Sequence, residues 1–222
     1  MSTSFEQGIN VLKEVIDAPI AAYFSSCTNC GLCAQACIFY TETGDPKYTP
    51  IRRVEPMRRI WEQEFTLVGK VKKLLGWSKA VTEQDLKDNV ELAFESCTTC
   101  GRCSMVCPAG NDIVYMIRRM REGLTAAGLA PKSLQAAAVR TLETGSVMGF
   151  PMETLEAMVK AAEKETGIKI NIDEPNVDYL LLLSSAEVMQ FNEIIGSLAQ
   201  IFDAAGVSWT LSSTAHEAGN PG

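Results

Sequence analysis

Hydrophobic residues recur every three to four positions through most of the chain, a spacing that predicts amphipathic helices. Near the start, one such stripe consists of Ile9, Leu12, Ile16 and Ile20. We expect its helix to break at Pro19. Beyond residue 112 the same spacing predicts a helix that begins at Ile113 and ends near Gly123 or Gly128, and further helices over 132–146 and 152–166.

The segment between residues 52 and 95 predicts three more helices. In the first, over 52–64, Pro56 suits a first turn and marks the start of the regular helix. The third begins at Thr82, a good N-cap followed by acidic residues, and runs to about residue 95. The second covers 65–75 and carries an apolar stripe of Leu67, Val68, Val71, Leu74 and Leu75.

The pattern changes after residue 167. Strands are predicted over 168–172, 179–183 and 207–211, with a helix over 187–205. The continuous apolar run at 179–183 is typical of a buried parallel strand. The last two strands and their helix form a β-α-β unit, right-handed by default. Two strands are too few for an independent sheet, so we expect a partner chain or a longer chain to complete it.

The predicted fold class is therefore mainly α, with a helical domain followed by a small, incomplete α/β segment. With 222 residues, 46% hydrophobic and 21% charged, the chain suits one or two small domains. We divide it into a helical domain over 1–130, a helical connector over 131–175 and a partial α/β segment over 176–222.

The net charge is −7 and lies wholly in residues 131–222, since residues 1–130 hold 15 basic and 15 acidic residues. This acidic balance argues against a general nucleic-acid or anionic-membrane binder. We expect no signal peptide and no direct membrane span. The predicted location is the cytoplasm, or the cytoplasmic face of a membrane reached through partner subunits.

All eight cysteines lie in two runs of identical spacing, C-x2-C-G-x-C-x3-C. This is the spacing of bacterial two-cluster ferredoxins, in which the fourth cysteine of each run binds the cluster of the other run. Gly31 and Gly101 stand where the loop must turn closely past a cluster. The prediction is two [4Fe-4S] clusters, cluster I on Cys27, Cys30, Cys33 and Cys107, and cluster II on Cys97, Cys100, Cys103 and Cys37.

Three alternatives explain the cysteines less well. Zinc needs four ligands and usually two C-x2-C pairs, which leaves the third and fourth cysteines of each run without a role. A disulfide framework needs an oxidising compartment, which the sequence does not suggest. A thioredoxin-like C-x-x-C follows a strand, whereas helix-like residues precede Cys27 and Cys97.

Two basic groups accompany the cysteine runs. Positive charge near a cluster favours its reduction, but a solvated helix face explains such groups equally well, and docking to an acidic partner is a third interpretation. The basic groups are Arg52, Arg53, Arg58 and Arg59, and Arg118, Arg119 and Arg121.

Two tryptophans and the single histidine are interpreted as structural. Trp61 and Trp77 are more typical of core or interface aromatics than of electron relays, and His216 is more typical of a surface residue.

Beyond the cysteines, the spacer that begins Thr43-Gly44-Asp45-Pro46 and the tail from Trp209 to Glu217 resemble heterodisulfide reductase iron–sulfur subunits. Within that family the chain is similar to the C subunit, to the front half of the fused D subunit, and to the K subunit of the sulfite-reductase-linked membrane complex. The resemblance implies a helical ferredoxin with two cubanes. It also implies partner subunits, namely a catalytic one with Cys-Cys-Gly repeats and a flavin-linked or quinone-linked one.

Two departures from this family qualify the resemblance. The chain has no Cys-Cys-Gly repeats, so it carries no complete catalytic site and no catalytic residue is assigned. Ile38 stands where a proline usually follows the fourth cysteine, which is expected to loosen the turn after Cys37.

The predicted function is therefore electron transfer between a redox partner and a thiol/disulfide catalytic subunit, in sulfur metabolism. One alternative is the N-terminal half of a fused catalytic chain of the same type. Another is the iron–sulfur subunit of a flavin-linked dehydrogenase, since such enzymes also use helical two-cluster domains.

Overall fold

The computed structural model describes residues 3–184, 187, 190–191 and 193–213. The chain divides into two compact units, Met1–Pro131 and Lys132–Gly222. The first boundary lies one residue from the predicted one. The predicted separation of a connector over 131–175 from a segment over 176–222 stays a prediction.

The described part of the first unit is built of helices and helical turns. Two short 3₁₀ turns and one turn of π-helix accompany the α-helices. The helices are α1 (Ser4–Glu14), α2 (Ala18–Ser26), α3 (Leu32–Gln35), α4 (Ile38–Thr43), α5 (Glu55–Phe65), α6 (Leu67–Leu74), α7 (Glu83–Val90), α8 (Arg102–Met105) and α9 (Ile113–Ala126), with 3₁₀ turns at Pro46–Tyr48 and Pro50–Val54 and the π turn at Glu91–Glu95.

The break between α1 and α2 lies earlier than the sequence predicts. The carboxylate of Asp17 caps α2 by accepting a hydrogen bond from the Ile20 N–H at 2.9 Å. Pro19 therefore lies in the first turn of α2, where its missing N–H costs nothing, and does not end a helix. The expectation of a break at Pro19 is wrong for this reason.

The helices of residues 52–95 lie close to where the sequence predicts them, with one exception. α5 begins next to Pro56 and α7 is capped by Thr82, as predicted. The third helix does not continue regularly to residue 95, because a π turn replaces its end and the Ser96 N–H bonds the Glu91 carbonyl at 2.9 Å. Such turns are rare and often accompany functional sites.

The core of the first unit lies where α1 packs along α9, with α2, α5 and α7 around them. Most of its side chains lie in helices that the sequence predicts, and burying a large aliphatic residue stabilises a fold by roughly 1.5–3 kcal/mol. The most deeply buried apolar residues of this unit are Leu12, Ile20, Val54, Met57, Leu86, Ala93, Met116, Ile117, Met120 and Leu124.

The second unit contains α10 (Lys132–Thr144), α11 (Met152–Thr166), β1 (Tyr179–Leu181), α12 (Glu193–Ala205) and β2 (Trp209–Leu211). The strands are parallel, with Tyr179 opposite Trp209, so the predicted parallel β-α-β order is confirmed. The predicted strand over 168–172 is reduced to a single bridge between Ile172 and Leu211.

The expected burial of the 179–183 strand is wrong at its start. Tyr179 and Leu180 are more than half exposed, and only Leu183 is fully buried. Continuous burial needs cover on both faces and both edges, and a two-stranded sheet does not supply it. The first turns predicted for the 187–205 helix lie partly outside the described residues. His216 and the end of the tail motif lie wholly outside them.

The predicted fold class is confirmed, since the described chain is mainly α with one small parallel sheet. Among the described helices, none combines the length and apolar character needed to cross a bilayer.

Candidate iron–sulfur centre

The two cysteine runs fold into the same backbone conformation. Gly31 and Gly101 take left-handed φ values of 80° and 83°, as predicted for the turn residues. Two positions earlier, Asn29 and Thr99 are also left-handed, with φ of 54° and 53°. A β-branched residue such as Thr99 seldom adopts this conformation, which is typical of strain kept at a functional site. No sequence signal pointed to it.

Each run then continues into a one-turn helix and ends in the same hydrogen bond. The Cys37 N–H donates to the Ala34 carbonyl at 3.0 Å, and the Cys107 N–H to the Ser104 carbonyl at 3.2 Å. The turn after Cys37 is formed as well, since the Tyr40 N–H donates to the Cys37 carbonyl at 3.0 Å, so the expected loosening by Ile38 is not seen. Ile38 begins α4, a position that both residue types accept.

Each of two cavities is lined by four of the eight cysteines, three from one run and the fourth from the other. The first cavity has a volume of about 720 Å³ and the second about 40 Å³. The first is lined by Cys27, Cys30, Cys33 and Cys107, and the second by Cys97, Cys100, Cys103 and Cys37. Both sets are the ligand sets predicted from the spacing.

The thiols lie at the cavity walls and none is paired in a disulfide. Within the described residues, no group of three or more Cys, His, Asp or Glu side chains is arranged to hold a single metal ion. A cubane differs from a single ion because each of its four thiolates binds a different iron, so the four sulfurs surround a volume. Four thiols around one cavity fit that requirement.

Burial raises the pKa of the third cysteine in each run. The pKa of Cys103 rises to about 11, first through burial and then through repulsion from the Cys97 thiolate. Burial shifts the pKa of Cys33 in the same direction, although the Ile51 N–H opposes the shift. The exposed Cys100 has a lowered pKa because the Arg102 N–H points at its sulfur. Backbone donors to thiolate sulfur are the groups that tune cluster potentials.

Arg53 is the most unusual side chain of the second cavity. It is 1% exposed, and its Nη2 lies 3.4 Å from the Cys37 sulfur. Its other partners are the carbonyls of Tyr48, Leu92 and Ser96 and the Ser96 hydroxyl. None of these groups is charged, so no carboxylate among them balances the guanidinium that lies beside a predicted ligand. The solvated-face interpretation is therefore wrong for Arg53.

The first cavity carries both signs of charge. Arg58 forms a bidentate ion pair with Glu55, at 2.8 Å to both oxygens, and Arg59 lies 2.7 Å from Asp85. The guanidinium of Arg59 holds the pKa of Asp85 well below its usual range. All four of these residues line the cavity, so its arginines are largely balanced by carboxylates.

Two buried polar atoms in the first cavity's wall have no hydrogen-bond partner. They are Arg59 Nε and Asn89 Oδ1, the only such side-chain atoms in the part of the chain that the structure describes. Buried polar atoms are rarely left unpaired, and an N–H facing a sulfur-rich group would be satisfied by it. Sequence reasoning missed Asn89, since one asparagine on a helix gives no signal.

The comparisons with known proteins agree with this geometry. Residues 23–111 match the family described as a 4Fe-4S dicluster domain. The chain is 27% identical over 212 residues, 90% of its length, to the Hdr-like menaquinol oxidoreductase iron-sulfur subunit 2 of Archaeoglobus fulgidus. Over most of its length the chain is therefore similar to Hdr-type iron–sulfur subunits. The resemblance noted in the sequence is thereby confirmed.

Two more relatives show how far the Hdr-type similarity extends. The iron-sulfur subunit of the Hdr-like menaquinol oxidoreductase of Archaeoglobus profundus is 27% identical over 96% of this chain. The D subunit of the dihydromethanophenazine:CoB–CoM heterodisulfide reductase of Methanosarcina acetivorans is 30% identical over 109 residues, 48% of this chain and 25% of its own. The chain spans 38% and 41% of the length of the two Archaeoglobus relatives. No solved structure matches it significantly.

Proposed function

We propose that the chain is the electron-transfer part of an Hdr-like complex and carries two [4Fe-4S] clusters. Cluster I would be held by Cys27, Cys30, Cys33 and Cys107, and cluster II by Cys97, Cys100, Cys103 and Cys37. The observation that carries the proposal is that each of these sets lines one cavity of its own. One-electron exchange is the chemistry that such clusters supply.

The protein's own residues would keep the thiolates in position and set the local charge. The left-handed turns at Gly31 and Gly101 bring the first three cysteines of each run to one cavity. Arg53 donates to the Cys37 sulfur, and at the first cavity Arg58 is paired with Glu55 and Arg59 with Asp85. Such hydrogen bonds and charges are the levers by which a protein tunes a cluster.

The partners in this proposal are a redox donor or acceptor, flavin-linked or quinone-linked, and a catalytic subunit that acts on thiols and disulfides. The names of the relatives support such an assembly, since they describe subunits of a menaquinol oxidoreductase and of a heterodisulfide reductase. The proposed location is the cytoplasm or the cytoplasmic face of a membrane.

Metal analysis tests the cluster count. We expect about eight irons and eight acid-labile sulfides per reconstituted chain. Two zinc ions with no labile sulfide would contradict the proposal.

A pair of matched variants tests the crossed ligand sets. In a chain with Cys27, Cys30 and Cys33 all changed to Ser, only cluster II should remain. Adding Cys37→Ser to this chain should alter the EPR spectrum of that cluster and reduce its iron content. Adding Cys107→Ser should leave the cluster unchanged. The opposite pattern would mean that each run binds its own cluster with its own four cysteines.

A second candidate is the N-terminal half of a fused catalytic chain. It is favoured by the relatives, of whose length the match covers only 38–41%. The intact mass of the endogenous protein after cluster removal tests it. A mass near 24.2 kDa supports a separate electron-transfer subunit, and a mass tens of kilodaltons higher supports the fused chain.

A further inference from the structure

The end of α5, helix α6 and the turn after it carry a contiguous set of exposed apolar side chains. Leu67 is 82% exposed, Leu74 87% and Trp77 77%. Single exposed apolar residues are ordinary, but a contiguous set marks a surface that binds something. We call this set the α6 surface. It consists of Phe65, Leu67, Val68, Val71, Leu74, Leu75 and Trp77, each more than half exposed.

The α6 surface faces away from the protein because the opposite side of the helix is fixed. Gly69 packs against α5 so closely that a Cβ at this position would overlap the Glu62 carbonyl oxygen. The Thr66 hydroxyl caps the helix by accepting a hydrogen bond from the Gly69 N–H at 3.0 Å. On a helix, Leu67, Val71 and Leu74 lie along one line, away from Gly69.

Lysines border the apolar residues on both sides. Residues 65–81 contain Lys70, Lys72, Lys73 and Lys79 and no Asp or Glu, although the whole chain has a net charge of −7. Lys73 is paired with Glu64 at 2.7 Å, whereas Lys70 and Lys72 form no ion pair within the described residues. The acidic balance of the whole chain therefore hides a local basic segment.

We propose that α6 and the turn after it lie on an anionic membrane surface. The leucines and Trp77 would enter the boundary between headgroups and acyl chains, and the lysines would contact the anionic headgroups. An outward apolar face, bordering lysines and an aromatic residue at one end are the features of helices that lie in a bilayer interface. A protein partner explains the composition less well, because protein interfaces are depleted in lysine.

Vesicle binding tests the proposal on the full, cluster-loaded chain. We expect co-sedimentation with vesicles of phosphatidylglycerol and phosphatidylcholine, weakened by salt, and none with phosphatidylcholine alone. Leu74→Glu should weaken binding by about tenfold or more. Lys72→Gln should weaken it roughly fivefold, since each lysine near such a surface contributes about that factor.

Leu142 supplies a matched control, because it is 88% exposed and lies on α10. Leu142→Glu should leave vesicle binding unchanged. Vesicles should also shift the tryptophan emission to shorter wavelength, and Trp77→Phe should abolish that shift. Iron content should stay the same in every variant, so a failure here is separate from a failure of the proposed function.

Three outcomes would overturn the proposal. One is the absence of binding to either kind of vesicle, which would leave a protein partner as the occupant. Another is an equal loss of binding in Leu74→Glu and Leu142→Glu. The third is a fall in the solution mass of the Leu74→Glu variant, measured by light scattering without vesicles, which would show that a second copy of the chain covers this surface.

Discussion

Arg53 shows how much the environment of a single residue adds to a site whose predicted ligands are plain from the sequence. The eight cysteines are visible from their spacing alone. The role of Arg53 is not, because it stands in a group of four arginines that look alike in the sequence. Only packing separates Arg53, which is 1% exposed, from Arg52, which is exposed.

Arg53 leads to a prediction about the potential of cluster II. Arg53→Met should lower that potential, because the reduced cluster is more negative and loses a nearby positive charge. A charge at this distance in a partly buried site gives a shift on the order of 100 mV. The measurement is an EPR-monitored redox titration of the reconstituted chain.

Two further variants make the Arg53 test specific. Arg53→Lys keeps the charge and should shift the potential less than Arg53→Met. Arg118→Met removes an exposed arginine and should leave the potential unchanged. If Arg53→Met retains its cluster at an unaltered potential, the charge argument is wrong.

At the scale of elements, the ion pair between Arg59 and Asp85 joins α5 to α7 beside the first cavity. Asp85 also completes the capping box of α7 with Thr82. The Asp85 carboxylate thus binds both the first turn of α7 and the Arg59 guanidinium at the first cavity. The sequence predicts the cap, since Thr82 and its acidic neighbours are a recognised signal, but not the arginine from another helix.

Asp85→Asn should lower the free energy of unfolding at neutral pH by about 1–2 kcal/mol. The pKa of Asp85 is lowered in the folded state, first by the hydrogen bond from Arg59. Its contribution is therefore complete above the unfolded value of about 3.9 and is lost as the pH falls through the lower, folded value. Denaturant unfolding of wild type and variant at several pH values measures this.

The difference in the free energy of unfolding between wild type and Asp85→Asn should be the same at about pH 8 and pH 5.5. It should shrink only below about pH 4. Glu83→Gln is the control, because Glu83 forms an exposed pair with Lys87 that is worth less than about 1 kcal/mol. A difference that already changes between the two higher pH values would show that another group titrates.

At the scale of the whole molecule, the predicted cluster ligands and the small sheet lie in different compact units. All eight cysteines and both cavities belong to the unit Met1–Pro131. The unit Lys132–Gly222 has its own buried cluster around Leu155, Ile195 and Leu211. Each unit thus has a core of its own, as expected of a separately folding region.

A fragment of residues 1–131 should therefore bind about eight irons and eight sulfides after reconstitution. The fragment of residues 132–222 should bind none, since it has no cysteine. Iron analysis and the visible absorption spectrum measure both. A 1–131 fragment that folds, by circular dichroism, but holds no iron would show that cluster binding needs the second unit.

Spacing and residue type alone reveal the helical class, the cysteine repeat, the cap at Thr82 and the close turns at Gly31 and Gly101. These features depend on residues close together in the chain, so spacing and residue type reveal them. Three features come instead from the folded chain: the burial of Arg53 beside Cys37, the π turn before Cys97, and the outward-facing stripe of α6. Whether a stripe or a charge is buried depends on what packs against it, and those neighbours come from distant parts of the chain.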